Sequence, residues 1–103
     1  MQAVINKLKQ NLQLLYRKSI DADAALKILR SQGNAKFDSV FDADAGFTVS
    51  SKYFKPYVEE VALSVETLLS LDEQQMQSKL PDIVMKIDKL FKTMAQFQQS
   101  IKY

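Results

Sequence analysis

Two stretches place oxygen ligands at close spacing: FDADAG at residues 41–46 and DADA at 21–24. Alternating aspartates ahead of a glycine could open a calcium loop, which requires oxygen ligands at positions 1, 3 and 5, glycine at 6 and a bidentate Glu at 12. With Asp42 at the first position, Asp44 falls correctly at the third, but Gly46, Phe47 and Tyr53 then take the fifth, sixth and twelfth. The glycine is one residue early and the closing carboxylate is missing. After DADA, Ala25, Leu26 and Ile28 stand where ligands belong. Both stretches therefore read as helix caps and turns, and neither a metal nor another cofactor is expected.

Catalytic groups are equally sparse. The chain has no histidine and no cysteine, which removes the usual general base near neutral pH, thiol nucleophiles, Cys/His zinc sites and haem or iron-sulfur ligation. Its two glycines, Gly33 and Gly46, cannot form a glycine-rich phosphate cradle. The adjacent acids Glu59 and Glu60, and Asp72 and Glu73, point about 100° apart on a helix, so neither pair shares a site. The chain is not expected to be an enzyme.

Binding chemistry is better represented. Single-stranded nucleic acid is held by aromatic faces that stack bases, interleaved with basic groups that follow the phosphates. Lys52, Tyr53, Lys55 and Tyr57 form the densest cluster of that kind, with Phe54 between them claimed by the core rhythm. The competing reading is an ordinary helix start with snorkelling lysines. A second candidate is FDSVF at 37–41: Phe37 and Phe41 share one helical face, with Asp38 beside them. These three residues form either a packed aromatic pair with a solvated acid or an apolar patch that a partner helix covers. Lys7, Lys9, Arg17 and Lys18 are split around one helix, and Lys86, Lys89 and Lys92 spread over an outer face, so both sets read as solubility.

These groups must be positioned by helices. Ile5, Leu8, Leu12, Leu15 and Tyr16 recur at spacings of three and four and predict a helix from Gln2 to Lys18. Asp21 or Asp23 can cap a short second helix through Leu29, with Gly33 as its left-handed C′ residue. Ala35 to Phe41 predicts another short helical piece, ended by FDADAG. Ser50 or Ser51 is the candidate cap of a longer helix carrying Phe54, Val58, Val61, Val65 and Leu68, with Pro56 in its first turn. Asp72 and Pro81 mark a break before a last helix whose stripe runs Ile83, Ile87, Leu90, Met94, Phe97 and Ile101; Val84 and Phe91 widen it beyond a two-helix seam. The only β-prone run, Phe47 to Val49, is too short for a sheet. The expectation is an all-α fold, a small antiparallel bundle of three long helices plus one or two short ones, forming a single domain over 1–103.

Composition agrees with that expectation. A chain of 103 residues, 47% hydrophobic and 25% charged, suits one core. No apolar run approaches the roughly 20 residues that span a bilayer. MQAVINKLKQ interrupts its apolar pattern with Asn6, Lys7 and Lys9, so it does not make a signal-peptide core, and a cytoplasmic protein is expected. Net charge is +2, and all basic residues but Arg17 and Arg30 are lysines, which suits a solvated surface more than bidentate phosphate recognition.

Taken in order, INKLKQNLQLLYRKS, AKFDSVF and SKYFKPYVEEVALSVETLLSL followed by LPDIVMKIDKLFKTM resemble the N-terminal domain of the bacterial primosomal replication protein N″ (PriC) family. In that family a leucine-rich helix precedes an ARFD-hydrophobic-F motif, then a helix with Tyr-x-x-Glu and spaced leucines, then Leu-Pro. Here Ala35, Lys36, Phe37, Asp38 and Phe41 stand in the first motif, Tyr57, Glu60 and Leu68 in the helix, and Leu80 and Pro81 at the junction. Phe41 closes its motif one residue earlier than is usual in the family, and DADAG replaces a more basic continuation. The resemblance implies the N-terminal domain of a longer protein. It further implies a monomeric, non-enzymatic adaptor in replication restart that contacts the replicative helicase DnaB and single-strand DNA-binding protein, with single-stranded DNA as a further ligand. A different class of function, a helical structural or chaperone subunit of a secretion or assembly system, would use the heptads at 83–101 to bind a partner helix.

Overall fold

The computed structural model describes residues 1–33 and 39–100. They form three α-helices, α1 (Gln2–Ser31), α2 (Lys55–Leu68) and α3 (Glu73–Ser100), with one 3₁₀ turn at Ala43–Ala45. Each helix packs on both others, giving the expected all-α bundle. Phe54 at the start of α2 lies beside Asp23 of α1 and 5.8 Å, ring to ring, from Phe97 late in α3. Farther along α2, Glu60 meets Lys86, and Leu68 shares a groove with Ile83. The chain thus runs up α1, down α2 and up α3. The core is one cluster: Leu8, Leu15, Ala22 and Leu26 from α1; Phe54, Val58, Val61, Val65 and Leu68 along α2; and Ile83, Ile87, Leu90 and Met94 of α3.

The helix boundaries correct three expectations. The helices read separately at 2–18 and 24–29 are one 30-residue helix. The buried line Leu8, Leu15, Ser19, Ala22, Leu26 continues without a phase change through DADA, so tertiary burial outweighs the turn preference of the two aspartates. Tyr16 is off that line, 44% exposed. At α2, neither Ser50 nor Ser51 caps the helix; Phe54 is the N-cap residue and makes no side-chain cap bond. The cap comes from α1: Asp23 accepts the Phe54 N–H at Oδ1 (2.6 Å) and the Lys55 N–H at Oδ2 (3.0 Å). The carboxylate thereby satisfies donors that a helix start leaves open and complements the positive end of its dipole.

The third correction is that α3 starts at Glu73 and carries Pro81 inside it. Asp72 starts it with a capping box: its Oδ1 accepts the Gln75 N–H (2.8 Å) while its own N–H reaches Gln75 Oε1 (3.4 Å). Pro81 is exposed, so the carbonyl one turn earlier, deprived of its N–H partner, faces the solvent side. The expected short helix at Ala35 to Phe41 falls mostly on 34–38, outside the described residues. No helix among the described residues is long and apolar enough to cross a membrane.

Candidate functional site

The long connection between α1 and α2 returns along the α2–α3 face as a strap, residues 39–54. Its own backbone supplies few bonds: Val40 N–H to the Ser51 carbonyl (2.7 Å) and Ala45 N–H to that of Asp42 (3.0 Å). Its own Ser39 hydroxyl donates to the Phe41 carbonyl and its Ser51 hydroxyl accepts the Tyr53 N–H, and side chains of the bundle supply further bonds. Glu60 accepts the Thr48 N–H with both carboxylate oxygens (2.9 and 3.0 Å) and the Val49 N–H with Oε1 (2.7 Å). Lys89 Nζ donates to the Ala45 carbonyl (2.6 Å). Lys86, expected on the outer face, is only 7% exposed: its ammonium lies 3.4 Å from Glu60 and 3.1 Å from Asp82, and 5.8 Å from the Phe47 ring centre.

FDADAG thus acts as part of the strap. Phe41 packs 4.7 Å from Phe47 and 5.0 Å from Tyr57, and Phe47 lies 5.0 Å from Tyr57 edge-on. Gly46 adopts φ 98°, the left-handed conformation that turns the chain after the 3₁₀ turn, and passes over Met85. Asp42 and Asp44 are exposed, and among the described residues no three acids gather in a metal-sized group.

The predicted binding residues divide accordingly. Phe37 and Asp38 lie outside the described residues; Phe41 is half-buried in the aromatic cluster. Tyr57 is a correction to the nucleic-acid set: it is 1% exposed, its ring closed off by Phe41 and Phe47 and its hydroxyl engaged by Ser51, accepting that residue's N–H (2.9 Å) and donating to its carbonyl (3.2 Å). No base can stack on it in this conformation. Lys52 and Lys55 are exposed and Tyr53 half-buried.

The fold adds partners to these three that the local spacing could not show. Lys55 Nζ lies 5.5 Å from the Tyr16 ring centre, a cation–π contact between α2 and α1. Beside it, Ile20, Ala24 and Lys27 of α1 and Tyr53, Lys55 and Pro56 line a mostly apolar groove of about 460 Å³ with Asp23 at its edge. Asp23 is committed to the α2 cap. Among the described residues no carboxylate forms an ion pair with Lys27, Lys52 or Lys55. The result is an apolar groove with two tyrosines nearby, lined by the ammonium-bearing Lys27 and Lys55, with the exposed Lys52 next to Tyr53 in the chain. Tyr16 carried the one readable signal, since it sits next to Leu15 and so leaves the buried line; Ile20 and Lys27 become neighbours of Tyr53 only through the bundle. The chain matches no protein-family model, and comparison with curated proteins and with solved structures gives no significant match.

Proposed function

We propose that the chain is a non-enzymatic adaptor in DNA replication restart, engaging the replicative helicase DnaB, single-strand DNA-binding protein and other fork proteins, with single-stranded DNA held on the α1–α2 face. The observation that carries this reading is the joining of Tyr53 and Lys55 with Tyr16, Ile20 and Lys27 on one face, with the exposed Lys52 adjacent to Tyr53 in the chain. Tyrosine and aliphatic surface suit unstacked bases, and lysines on flexible stems suit a phosphate backbone without sequence preference. The family-like motifs at Phe37, Asp38 and Phe41 are the proposed contact for a protein partner.

Fluorescence anisotropy with a labelled single-stranded oligonucleotide tests the nucleic-acid part. Binding at low salt that weakens with a log–log slope of about −2 for three phosphate contacts is expected. The K52A/K55A double variant should bind about tenfold or more weakly while melting like the parent. Absence of binding at low salt, or equal binding by the double variant, contradicts this use of the face.

A second reading, a helical structural or chaperone subunit, is favoured by another feature. Val84 is 51% exposed, and the half-buried Phe91 lines an α1–α3 groove with Lys18, Asp21 and Ala95. Light scattering separates the readings: a stable oligomer would support the second, a monomer the first.

A further inference from the structure

The strap and the bundle are joined in an unequal way. Thr48 and Val49 have their N–H groups on a single carboxylate, Glu60. Ser51 N–H is held by one hydroxyl, that of Tyr57, and the Ala45 carbonyl by one ammonium, that of Lys89. The bundle needs none of these bonds: α1, α2 and α3 contact one another directly, and most of the core comes from the helices. A segment tied by a few side-chain bonds to a self-sufficient scaffold belongs to the low-stability end of a structure and can open without the rest unfolding.

We propose that residues 39–51 of the strap are a cover on the α2–α3 face, latched by Glu60, which opens as one unit while the three helices, with Phe54 held in the core by Asp23 and Phe97, stay folded. In the closed state Phe41 and Phe47 lie against Tyr57, and Phe47 also faces the Lys86 ammonium. Opening removes both phenylalanines, and Tyr57 and Lys86 regain access to solvent side by side on the bundle. The surface is thus covered by a part of the chain itself, and its opening does not rest on the function proposed above, with which it shares Phe41.

Glu60 is the latch because it holds two strap amides, whereas between the helices it contributes one ion pair, to Lys86. A Glu60→Gln change keeps an oxygen acceptor but loses the charge that both strengthens the bonds to Thr48 and Val49 and pairs with Lys86, which retains Asp82 at 3.1 Å. The strap loses its charged tether, while the helices lose one ion pair and keep their apolar core.

Native-state hydrogen exchange by NMR, followed through sub-denaturing urea, tests this on the unmodified protein first. The amides of Val40, Ala45, Thr48, Val49 and Ser51 should exchange at a common opening rate at least tenfold above that of Val61 to Leu68, with little dependence on urea. In E60Q the strap amides should speed up by a further ten- to a hundredfold and those of α2 and α3 by less than threefold. Strap amides that exchange only with the helices, with the same urea dependence, overturn the proposal, as does equal acceleration of strap and helices in E60Q.

Discussion

Asp23 ties two helix ends with one side chain. Sitting late in α1, it accepts the first free N–H groups of α2, and a cap of this kind contributes about 1 to 2 kcal/mol. D23A should therefore lower the free energy of unfolding by that much, read from the shift in urea midpoint, and D23N by less, since an amide oxygen still accepts; a D23A protein as stable as the parent contradicts the assignment. Gly46 offers a second test at the same scale. An added Cβ would make only ordinary contact, 3.5 Å from Met85 Cε, but at φ 98° any side chain is strained, so G46A should cost roughly 1 kcal/mol in the same titration. Both roles show what single residues conceal in a sequence. The type of Asp23 announces a cap and not which helix it caps, because its partner stands 31 positions away. Tyr57 looks like a surface aromatic among lysines; only the strap folding over it makes it core. Lys86 looks solvated for a similar reason, as an ammonium can be buried once Glu60 and Asp82 surround it.

At the scale of elements, periodicity was the dependable signal and punctuation the unreliable one. The apolar spacing in α2 and α3 matches the buried residues Phe54, Val58, Val61, Val65 and Leu68, and Ile83, Ile87, Leu90 and Met94. Burial of a continuous stripe outweighs a local breaker, however. DADA did not end α1, and Pro81 did not start α3, because Asp72 and Gln75 already cap it nine residues upstream of that proline. Pro81 then occupies an exposed interior position at a loss. Replacing it with alanine restores one backbone bond and a favourable propensity, so P81A should raise the stability of the protein by about 1 to 3 kcal/mol, read from the shift in urea midpoint. A neutral or destabilising result would mean that the proline fixes something α3 needs there. The strap was not legible as an element at all: its turn residues were, but its placement depends on Glu60 and Lys89, side chains that read as helix surface.

For the whole molecule, the fold class followed from helical spacing, while the candidate site did not, because half of it comes from α1. The bundle rests on a narrow core in which Leu15 and Leu90 are fully buried. L90A should cost roughly 2 to 5 kcal/mol, whereas substitutions of the exposed Lys52 and Lys55 should leave the melting curve almost unchanged. That separation allows binding and stability to be read independently. An NMR titration of the labelled protein tests the proposed adaptor role and its interaction face built by α1 and the start of α2. Purified DnaB is added in one series and a short single-stranded oligonucleotide, at low and moderate salt, in the other. Salt-sensitive shifts with the oligonucleotide are expected at Tyr16, Ile20, Lys27, Tyr53 and Lys55, and localised broadening with the helicase is expected to reach the segment around Phe41. Unchanged spectra in both series, or shifts confined to the Val84 and Phe91 side of α3, would contradict the proposed role.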